Sequence, residues 1–166
     1  MLVLQAAGVK THVVYGPCNG QPLGYSMPWC GSADDQIGTF VRWLRGNGTQ
    51  FERLWIDLDF NAGSWKTAQP QANLAFLIDL IAAVQALRVP VGIYGNDFYW
   101  RYLFDKLALP PAITGSLPVW FTTLRNSPNI DADFKPFGGF KLAQIESWTQ
   151  SVGLKCGRSW FYAISR

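Results

Sequence analysis

Short apolar segments alternate with helical segments along this chain, and this alternation restricts the fold more than any other feature of the sequence. Residues 54–60 and 89–94 are each apolar enough to form buried strands, and the second run is typical of a strand covered on both faces. Between them, residues 70–87 carry apolar side chains at helical spacing, with Pro70 suited to a first turn. A helix of this length can connect two parallel strands. The sequence therefore predicts a parallel α/β sheet.

Further segments extend the same pattern in both directions. Ser32 with Asp35 resembles a capping box and predicts a helix that closes near residues 45–48. The remaining predicted elements are the end of a helix at 1–8, strands at 11–15, 118–123 and 142–149, and a helix at 96–107. About five strands are too few to close an eight-stranded barrel. We therefore expect a partial or irregular (β/α) TIM-like barrel, and a start within a helix indicates a domain incomplete at its N-terminus.

Composition excludes several classes of protein. The chain has 166 residues, 49% of them hydrophobic and 15% charged, which suits a single well-buried domain over residues 1–166. The net charge of +3 comes from scattered basic residues, so nucleic acid is not an expected partner. No apolar stretch approaches the length of a membrane span, and the first residues do not resemble a signal peptide. The oligomeric state is left open.

Two carboxylates lie where the predicted strand 54–60 ends. Asp57 and Asp59 are two residues apart, so in a strand they share one face, and residues 61–64 follow as a turn. Parallel α/β folds bind ligands at these carboxyl ends. Paired carboxylates suit glycoside hydrolysis, in which one acid protonates the leaving oxygen and the other stabilises the sugar cation. The alternative is that these acids cap the turn or pair with an arginine.

Aromatic residues are numerous, with 8 Trp, 6 Tyr and 11 Phe, and several lie near predicted strand ends. Sugar-binding clefts use such rings, although the same residues also fill ordinary cores. Cys18 and Cys30 flank an irregular loop and either form a disulfide or remain reduced. His12 lies at the start of a strand and is expected to be structural, and the His and Cys spacing predicts no metal site. Residues 47–49 read Asn-Gly-Thr, a glycosylation acceptor if the chain is secreted.

Several motifs, in their order and spacing, resemble those of glycoside hydrolase family 25 lysozymes, most closely the short branch found in nematodes and protists. The resemblance runs over the whole chain. It is carried by Ala6-Ala7-Gly8-Val9, Val13-Val14-Tyr15-Gly16-Pro17-Cys18, Leu54-Trp55-Ile56-Asp57-Leu58-Asp59, Val91-Gly92-Ile93-Tyr94, Pro118-Val119-Trp120, Pro136-Phe137-Gly138-Gly139-Phe140, residues 145–148, and Cys156-Gly157.

This resemblance implies an irregular barrel that cleaves the β-1,4 bond between N-acetylmuramic acid and N-acetylglucosamine in bacterial peptidoglycan. Asp59 would stand in the position of the general acid, and Asp57 in that of its partner carboxylate. The sugar cleft would be lined by Tyr94, Trp120, Tyr15 and Trp148. The resemblance implies no cofactor, a role in antibacterial defence, and a secreted or lysosomal or vacuolar location.

The chain also departs from the family pattern. Asp59 stands where the family usually has Glu, and its shorter side chain withdraws the acidic proton. A displacement of about 1 Å can reduce a rate by about 100-fold. The opening strand of the family, which brings another Asp, has no counterpart here. These departures predict weakened catalysis, and the alternatives are a non-catalytic glycan-binding protein or a truncated fragment of a lysozyme.

Overall fold

A computed structural model of the chain describes residues 11–19, 30–58, 65–66, 68–123, 133–148 and 158–161, the strand residues after 145 by their backbone alone. The predicted helix at 1–8 lies outside these residues. In chain order the elements are β1 (His12–Tyr15), α1 (Ala33–Gly46), β2 (Arg53–Asp57), α2 (Pro70–Ala86), β3 (Val91–Gly95), α3 (Asp97–Phe104), α4 (Pro111–Thr114), β4 (Val119–Thr123), β5 (Ile145–Trp148) and β6 (Arg158–Phe161).

The strands form a sheet in which each strand lies beside its neighbour in sequence, in the order β1-β2-β3-β4-β5-β6. The pairs from β1 to β5 are all parallel, which confirms the predicted parallel α/β sheet. β6 was not predicted, and it pairs antiparallel with β5. Within the described residues β1 and β6 are the two edges of the sheet, so these strands alone do not close a barrel.

Helix α1 begins and ends at the residues that the local sequence indicates. The Ser32 hydroxyl oxygen accepts a hydrogen bond from the Asp35 backbone N–H at 3.2 Å, as expected of a helix cap. At the other end Gly48 has a φ of +67°, and the Thr49 N–H donates to the Leu44 carbonyl at 2.9 Å. These features form a Schellman motif, in which glycine tolerates the left-handed conformation. The capping signals therefore positioned this helix correctly.

The observed strands are shorter than the predicted ones. β3 begins at Val91 instead of residue 89, because the Val89 N–H bonds back to the Val84 carbonyl at 3.3 Å and Pro90 has no N–H. β5 begins at Ile145 instead of residue 142. β2 ends at Asp57, where the sequence predicted a strand to residue 60. The apolar side chains of Leu58, Val89 and Ala143 lie in the hydrophobic core although these residues are outside the strands.

The main hydrophobic core lies between one face of the sheet and the helices. Leu54, Ile56 and Ile93 project to this face with no exposed surface, and they belong to one cluster with residues of α1 and α2. The fully buried helix residues include Ile37, Leu77, Leu80 and Val84. Among the described residues, no helix combines the length and apolarity needed to cross a membrane.

Candidate functional site

The face of the sheet opposite the helix-covered core carries an acid beside aromatic rings. Asp57 at the end of β2 is in register with Tyr94 of β3, which is in register with Trp120 of β4. Trp55 lies two residues before Asp57 and is in register with Gly92. Because side chains alternate along a strand and neighbours in register share a face, these five residues project to the same side. We call them the Asp57 face.

The three rings of the Asp57 face pack edge to face. Tyr94 and Trp120 have ring centroids 5.2 Å apart at 86°, and Trp55 and Trp120 have centroids 5.5 Å apart at 79°. Trp55 is 1% exposed, whereas Tyr94 and Trp120 are partly exposed. Trp55 therefore forms a buried floor against which Trp120 packs, and Trp120 in turn packs against Tyr94. Partly exposed aromatic rings of this kind offer apolar surface and polar edges to a sugar.

Gly92 makes room for the buried floor. A Cβ atom added at this position would lie 2.4 Å from the Trp55 ring and 3.1 Å from the Pro118 carbonyl oxygen. A Cβ atom cannot lie so close to another side chain, and the Trp55 ring is buried. The absence of a side chain at Gly92 therefore allows Trp55 to lie across β3 toward Trp120.

Polar groups near the amino-terminal ends of β1 and β2 hold the Trp55 indole in place. The Trp55 indole N–H donates to His12 Nδ1 at 3.2 Å, which gives His12 the structural role expected from the sequence. The Arg53 guanidinium lies 5.5 Å from the Trp55 ring centroid and donates from Nη1 to the Val91 carbonyl at 2.8 Å. Burial lowers the pKa of Arg53, and the nearby Glu52 carboxylate opposes that shift. The contacts with His12 and Arg53 fix the orientation of the Trp55 indole.

Asp57 is the last residue of β2, and its carboxylate lies at the carboxyl end of the sheet as predicted. The parallel pairing continues one residue further, since the Leu58 N–H donates to the Tyr94 carbonyl at 2.9 Å. Asp57 is partly buried, and it is not without an interaction partner. Asp59, the predicted general acid, lies outside the described residues.

Tyr15 is not brought to the Asp57 face. It is in register with Ile56, whose side chain belongs to the helix-covered core, and its ring packs on Phe40 of α1 at a centroid distance of 4.8 Å. Its hydroxyl donates to Gln36 Oε1 at 2.9 Å. Burial raises the pKa of Tyr15 to about 12. The sequence placed this residue in the sugar cleft, but strand alternation directs it to the opposite side of the sheet.

Trp148 and the two early cysteines complete the residues singled out in the sequence. Trp148 lies in β5, in register with Thr123 of β4, and its side chain lies outside the described residues.

Cys18 and Cys30 form a disulfide with Cα atoms 5.4 Å apart, so the pairing that the sequence left open is made in the structure. The bridge closes the loop that follows β1.

Three amide side chains that the sequence reading missed hold the loops around the sheet. Gln36 of α1 accepts hydrogen bonds from Tyr15 and the Cys18 N–H, and it donates to the Cys18 and Gly31 carbonyls. Asn73 links three separate segments. Asn96 caps α3 by accepting from the Tyr99 N–H at 3.0 Å and also donates to Thr122 of β4. Only Asn96 had a sequence signal, as an Asn before a helix.

A groove of about 830 Å³ lies at the opposite, amino-terminal end of the strands. Arg53 at the start of β2, Pro118 before β4 and Gln144 before β5 line it. It does not include Asp57, Tyr94 or Trp120. The candidate site is therefore an open face at the carboxyl ends of β2, β3 and β4, separate from this groove.

The described part of the chain holds no group of three His, Cys, Asp or Glu side chains arranged to bind a metal ion. The chemistry that the Asp57 face can supply is that of a carboxylate beside aromatic rings. Such a surface can bind a sugar, and with a second carboxylate it can protonate a glycosidic oxygen and stabilise the resulting cation.

Comparison with known proteins agrees with this chemistry. A model of the family described as lysozyme-like protein 1 matches residues 23–148, which is more than half of the chain. The chain is 24% identical over 135 residues to probable GH family 25 lysozyme 2 of Dictyostelium discoideum, covering 80% of this chain and 58% of that protein. It is 27% identical over 140 residues to lysozyme-like protein 5 of Caenorhabditis elegans, covering 82% of this chain and 62% of that protein.

The fold is also similar to a solved structure. The family GH25 lysozyme from Aspergillus fumigatus superposes with a TM-score of 0.57 at 15% identity, covering 95% of this chain and 84% of that one. At this identity the likeness concerns the fold alone. The chain spans about three fifths of the length of the two curated relatives. On the extent of the family match, the chain belongs to the lysozyme-like protein 1 family, which is of the GH family 25 lysozyme type.

Proposed function

We propose that this chain is a lysozyme-type glycoside hydrolase that binds bacterial peptidoglycan and cleaves its β-1,4 bond between N-acetylmuramic acid and N-acetylglucosamine. The observation that carries this proposal is the position of Asp57, at the carboxyl end of β2 and in register with Tyr94, whose ring packs on Trp120. A glycosidase cleft requires a pair of carboxylates, and Asp57 supplies one of them beside partly exposed rings that can bind a sugar.

The proposed roles divide between the carboxylates and the rings. Asp59 donates a proton to the leaving glycosidic oxygen, and Asp57 stabilises the positive charge that develops on the sugar. Tyr94 and Trp120 bind the sugar ring. Trp148 is not included, because its register partner Thr123 is three residues from Trp120 and so belongs to the other face of β4. Tyr15 is left out of this cleft because its hydroxyl is bonded to Gln36 on the helix-covered side. The proposed reaction uses no cofactor.

We also propose that the sheet is part of an irregular (β/α) barrel, with the Asp57 face inside. Two features support this arrangement. The strands follow one another in sequence order with helices on one side, as in barrel folds. Trp55 and Ile145 are 1% and 4% exposed although they project away from the helix-covered core, as expected for residues that fill a barrel interior.

The compartment follows from the same proposal. A protein that degrades bacterial cell walls acts outside the cell or in a lysosome or vacuole, where it contributes to antibacterial defence. The disulfide between Cys18 and Cys30 supports an oxidising environment, because such bonds are rare in the cytosol.

Loss of turbidity of a bacterial cell-wall suspension tests the catalytic proposal. The chain would be compared with its Asp59→Glu and Asp59→Asn variants. Glu extends the acid by one methylene, so we expect Asp59→Glu to clear the suspension faster, by up to about 100-fold. Asp59→Asn cannot donate the proton and should be inactive. If none of the three forms clears the suspension, this chain is not a hydrolase of peptidoglycan.

The second candidate function is glycan binding without catalysis, which the replacement of the usual Glu by Asp59 favours. Sedimentation with insoluble peptidoglycan or chitin distinguishes this function. Binding by the aromatic cleft should be lost in Trp120→Ala and kept in Asp57→Asn, with circular dichroism to show that both variants fold. Failure of the unaltered chain to sediment with either polymer would exclude the binding function.

A further inference from the structure

An acceptor sequence for N-linked glycans lies in an exposed turn that the proposed hydrolase function does not use. Residues 47–49 read Asn-Gly-Thr, and the chain contains no other Asn followed at the second position by Ser or Thr. Asn47 is exposed and forms the C-cap of α1. This turn leads toward the amino-terminal end of β2, whereas Asp57 lies at the carboxyl end. A sugar attached here would leave the Asp57 face accessible.

Folding explains part of this tripeptide but not all of it. Gly48 is required because its φ is +67°, and the Thr49 N–H completes the Schellman motif by donating to Leu44. The Thr49 hydroxyl, however, makes no hydrogen bond within the described part of the chain. Helix closure therefore does not need a hydroxyl at this position, whereas the acceptor sequence does.

Four residues before the acceptor, Trp43 carries an exposed indole. Trp43 is 61% exposed on α1, and residues four apart on a helix are surface neighbours. The Asn47 side-chain Nδ2 donates to the Trp43 carbonyl at 2.8 Å, so the acceptor amide is directed along the turn that carries the indole. The apolar face of a sugar ring could cover the indole, which otherwise presents a large apolar surface to water.

We propose that Asn47 carries an N-linked glycan whose first sugar packs against Trp43. The donor is a lipid-linked oligosaccharide diphosphate in the lumen of the secretory pathway. The bond between the sugar C1 and the diphosphate oxygen breaks, a bond from C1 to Asn47 Nδ2 forms, one amide proton leaves, and the lipid diphosphate departs. The second amide hydrogen remains on Nδ2, so the hydrogen bond to the Trp43 carbonyl can persist. The Cys18–Cys30 disulfide is consistent with the same compartment.

Translation of the full chain behind a cleavable secretory leader, in the presence of microsomes, tests the site. Only chains protected from external protease are scored, which restricts the readout to translocated protein. We expect one decrease in gel mobility, reversed by an amidase specific for N-glycans. Thr49→Ser should retain the shift, because its hydroxyl is preserved, and Thr49→Ala should lose it. Protected chains without a glycan, or a glycan that persists in Thr49→Ala, would overturn the assignment.

Two further measurements separate the acceptor role from a structural one. Unglycosylated Thr49→Ala should melt at the same temperature as the unaltered chain, because the hydroxyl has no hydrogen-bond partner among the residues that the structure describes. A clear decrease would point to a folding role for Thr49. The contact with Trp43 is tested by peptide mass spectrometry after mild oxidation. Trp43 should oxidise more slowly in the glycosylated protein, and equal rates would exclude the sugar contact.

Discussion

Tyr15 and Asp57 show, at the scale of single residues, how strand position decides function. Both are the last residues of adjacent parallel strands, but Tyr15 is in register with Ile56, one residue before Asp57. That offset of one residue directs the two side chains to opposite faces of the sheet. Tyr15 consequently packs among helix residues and bonds to Gln36, while Asp57 lies beside Tyr94.

The raised pKa of Tyr15 predicts a loss of stability at alkaline pH. Its ordinary value is 10.0, and burial raises it to about 12 in the folded protein. Below pH 10 both states keep the proton, and the stabilising contribution is complete. Between about pH 10 and 12 the unfolded chain releases the proton while the folded chain retains it, so the free energy of unfolding falls as pH rises.

Denaturant unfolding of Tyr15→Phe across this pH range checks the prediction. At neutral pH the variant should lose about 1 kcal/mol, the usual contribution of one hydrogen bond. From pH 10 to 12 its stability should fall less steeply than that of the unaltered chain. Tyr102→Phe is the control, since the Tyr102 side chain is 55% exposed, and it should follow the unaltered chain. Parallel curves for Tyr15→Phe and the unaltered chain would contradict the role given to burial.

At the scale of elements, the pairing of β2 with β3 depends on a contact between a large and a small residue. Trp55 crosses over Gly92 and reaches Trp120 of β4, so one indole joins three strands. Each edge-to-face aromatic pair contributes about 0.5–1.5 kcal/mol beyond the area it buries. The floor of the candidate cleft is therefore also part of what holds the strands together.

Gly92→Ala should destabilise the protein and disturb the candidate cleft. The new methyl group would lie 2.4 Å from the Trp55 ring, and the ring cannot move away without breaking its contacts with His12 and Trp120. We expect a loss of about 1–3 kcal/mol, as for other overpacked cores.

The matched control is Gly46→Ala at the end of α1, where an added Cβ meets nothing within 4 Å. Alanine there should be neutral or stabilising by up to about 1 kcal/mol, because it favours the helix. Both variants would be measured by their denaturant midpoints. A Gly92→Ala midpoint no lower than that of the unaltered chain would show that Trp55 has freedom to move.

At the scale of the whole molecule, Asn73 connects segments that are far apart in sequence. It is 1% exposed in α2, and its Oδ1 accepts from Asn19 Nδ2 at 2.9 Å and from the Lys66 N–H at 3.1 Å. Its Nδ2 donates to the carbonyls of Lys66 and Leu103 at 2.9 and 3.0 Å. One amide thus ties the loops after β1 and β2 to the end of α3, with every one of its hydrogen-bonding groups used.

Asn73→Ala should therefore lower the free energy of unfolding by more than a typical substitution in a helix does. It leaves several buried partners unsatisfied, each at about 1–3 kcal/mol, so we expect a loss of about 3 kcal/mol or more. Hydrogen exchange should also become faster at the Lys66 amide. Gln71→Ala on the exposed side of the same helix should change stability by less than about 0.5 kcal/mol. Equal effects of the two substitutions would show that the hydrogen bonds of Asn73 do not stabilise the folded protein.

Most of the elements could be predicted from the sequence because their signals are local. The Ser32 cap, the left-handed Gly48 and Pro70 in the first turn of α2 each lie beside the element that they define. β6 was missed because its four residues carry no clear alternation and because residues 149–157 separate it from β5, a connection longer than the usual hairpin loop of about 2–5 residues. The amide of Asn73 carried no signal, since its partners come from three distant segments.

The sequence by itself determined the order and type of most elements, the parallel sheet, and an acid at the end of β2, because periodicity, caps and strand ends are properties of neighbouring residues. Only the tertiary structure decided which side chains meet. It placed Tyr94 beside Asp57, packed Trp120 against Tyr94, and put Tyr15 on the helix-covered side. The register between strands sets these contacts, and register depends on pairing between residues far apart in the chain.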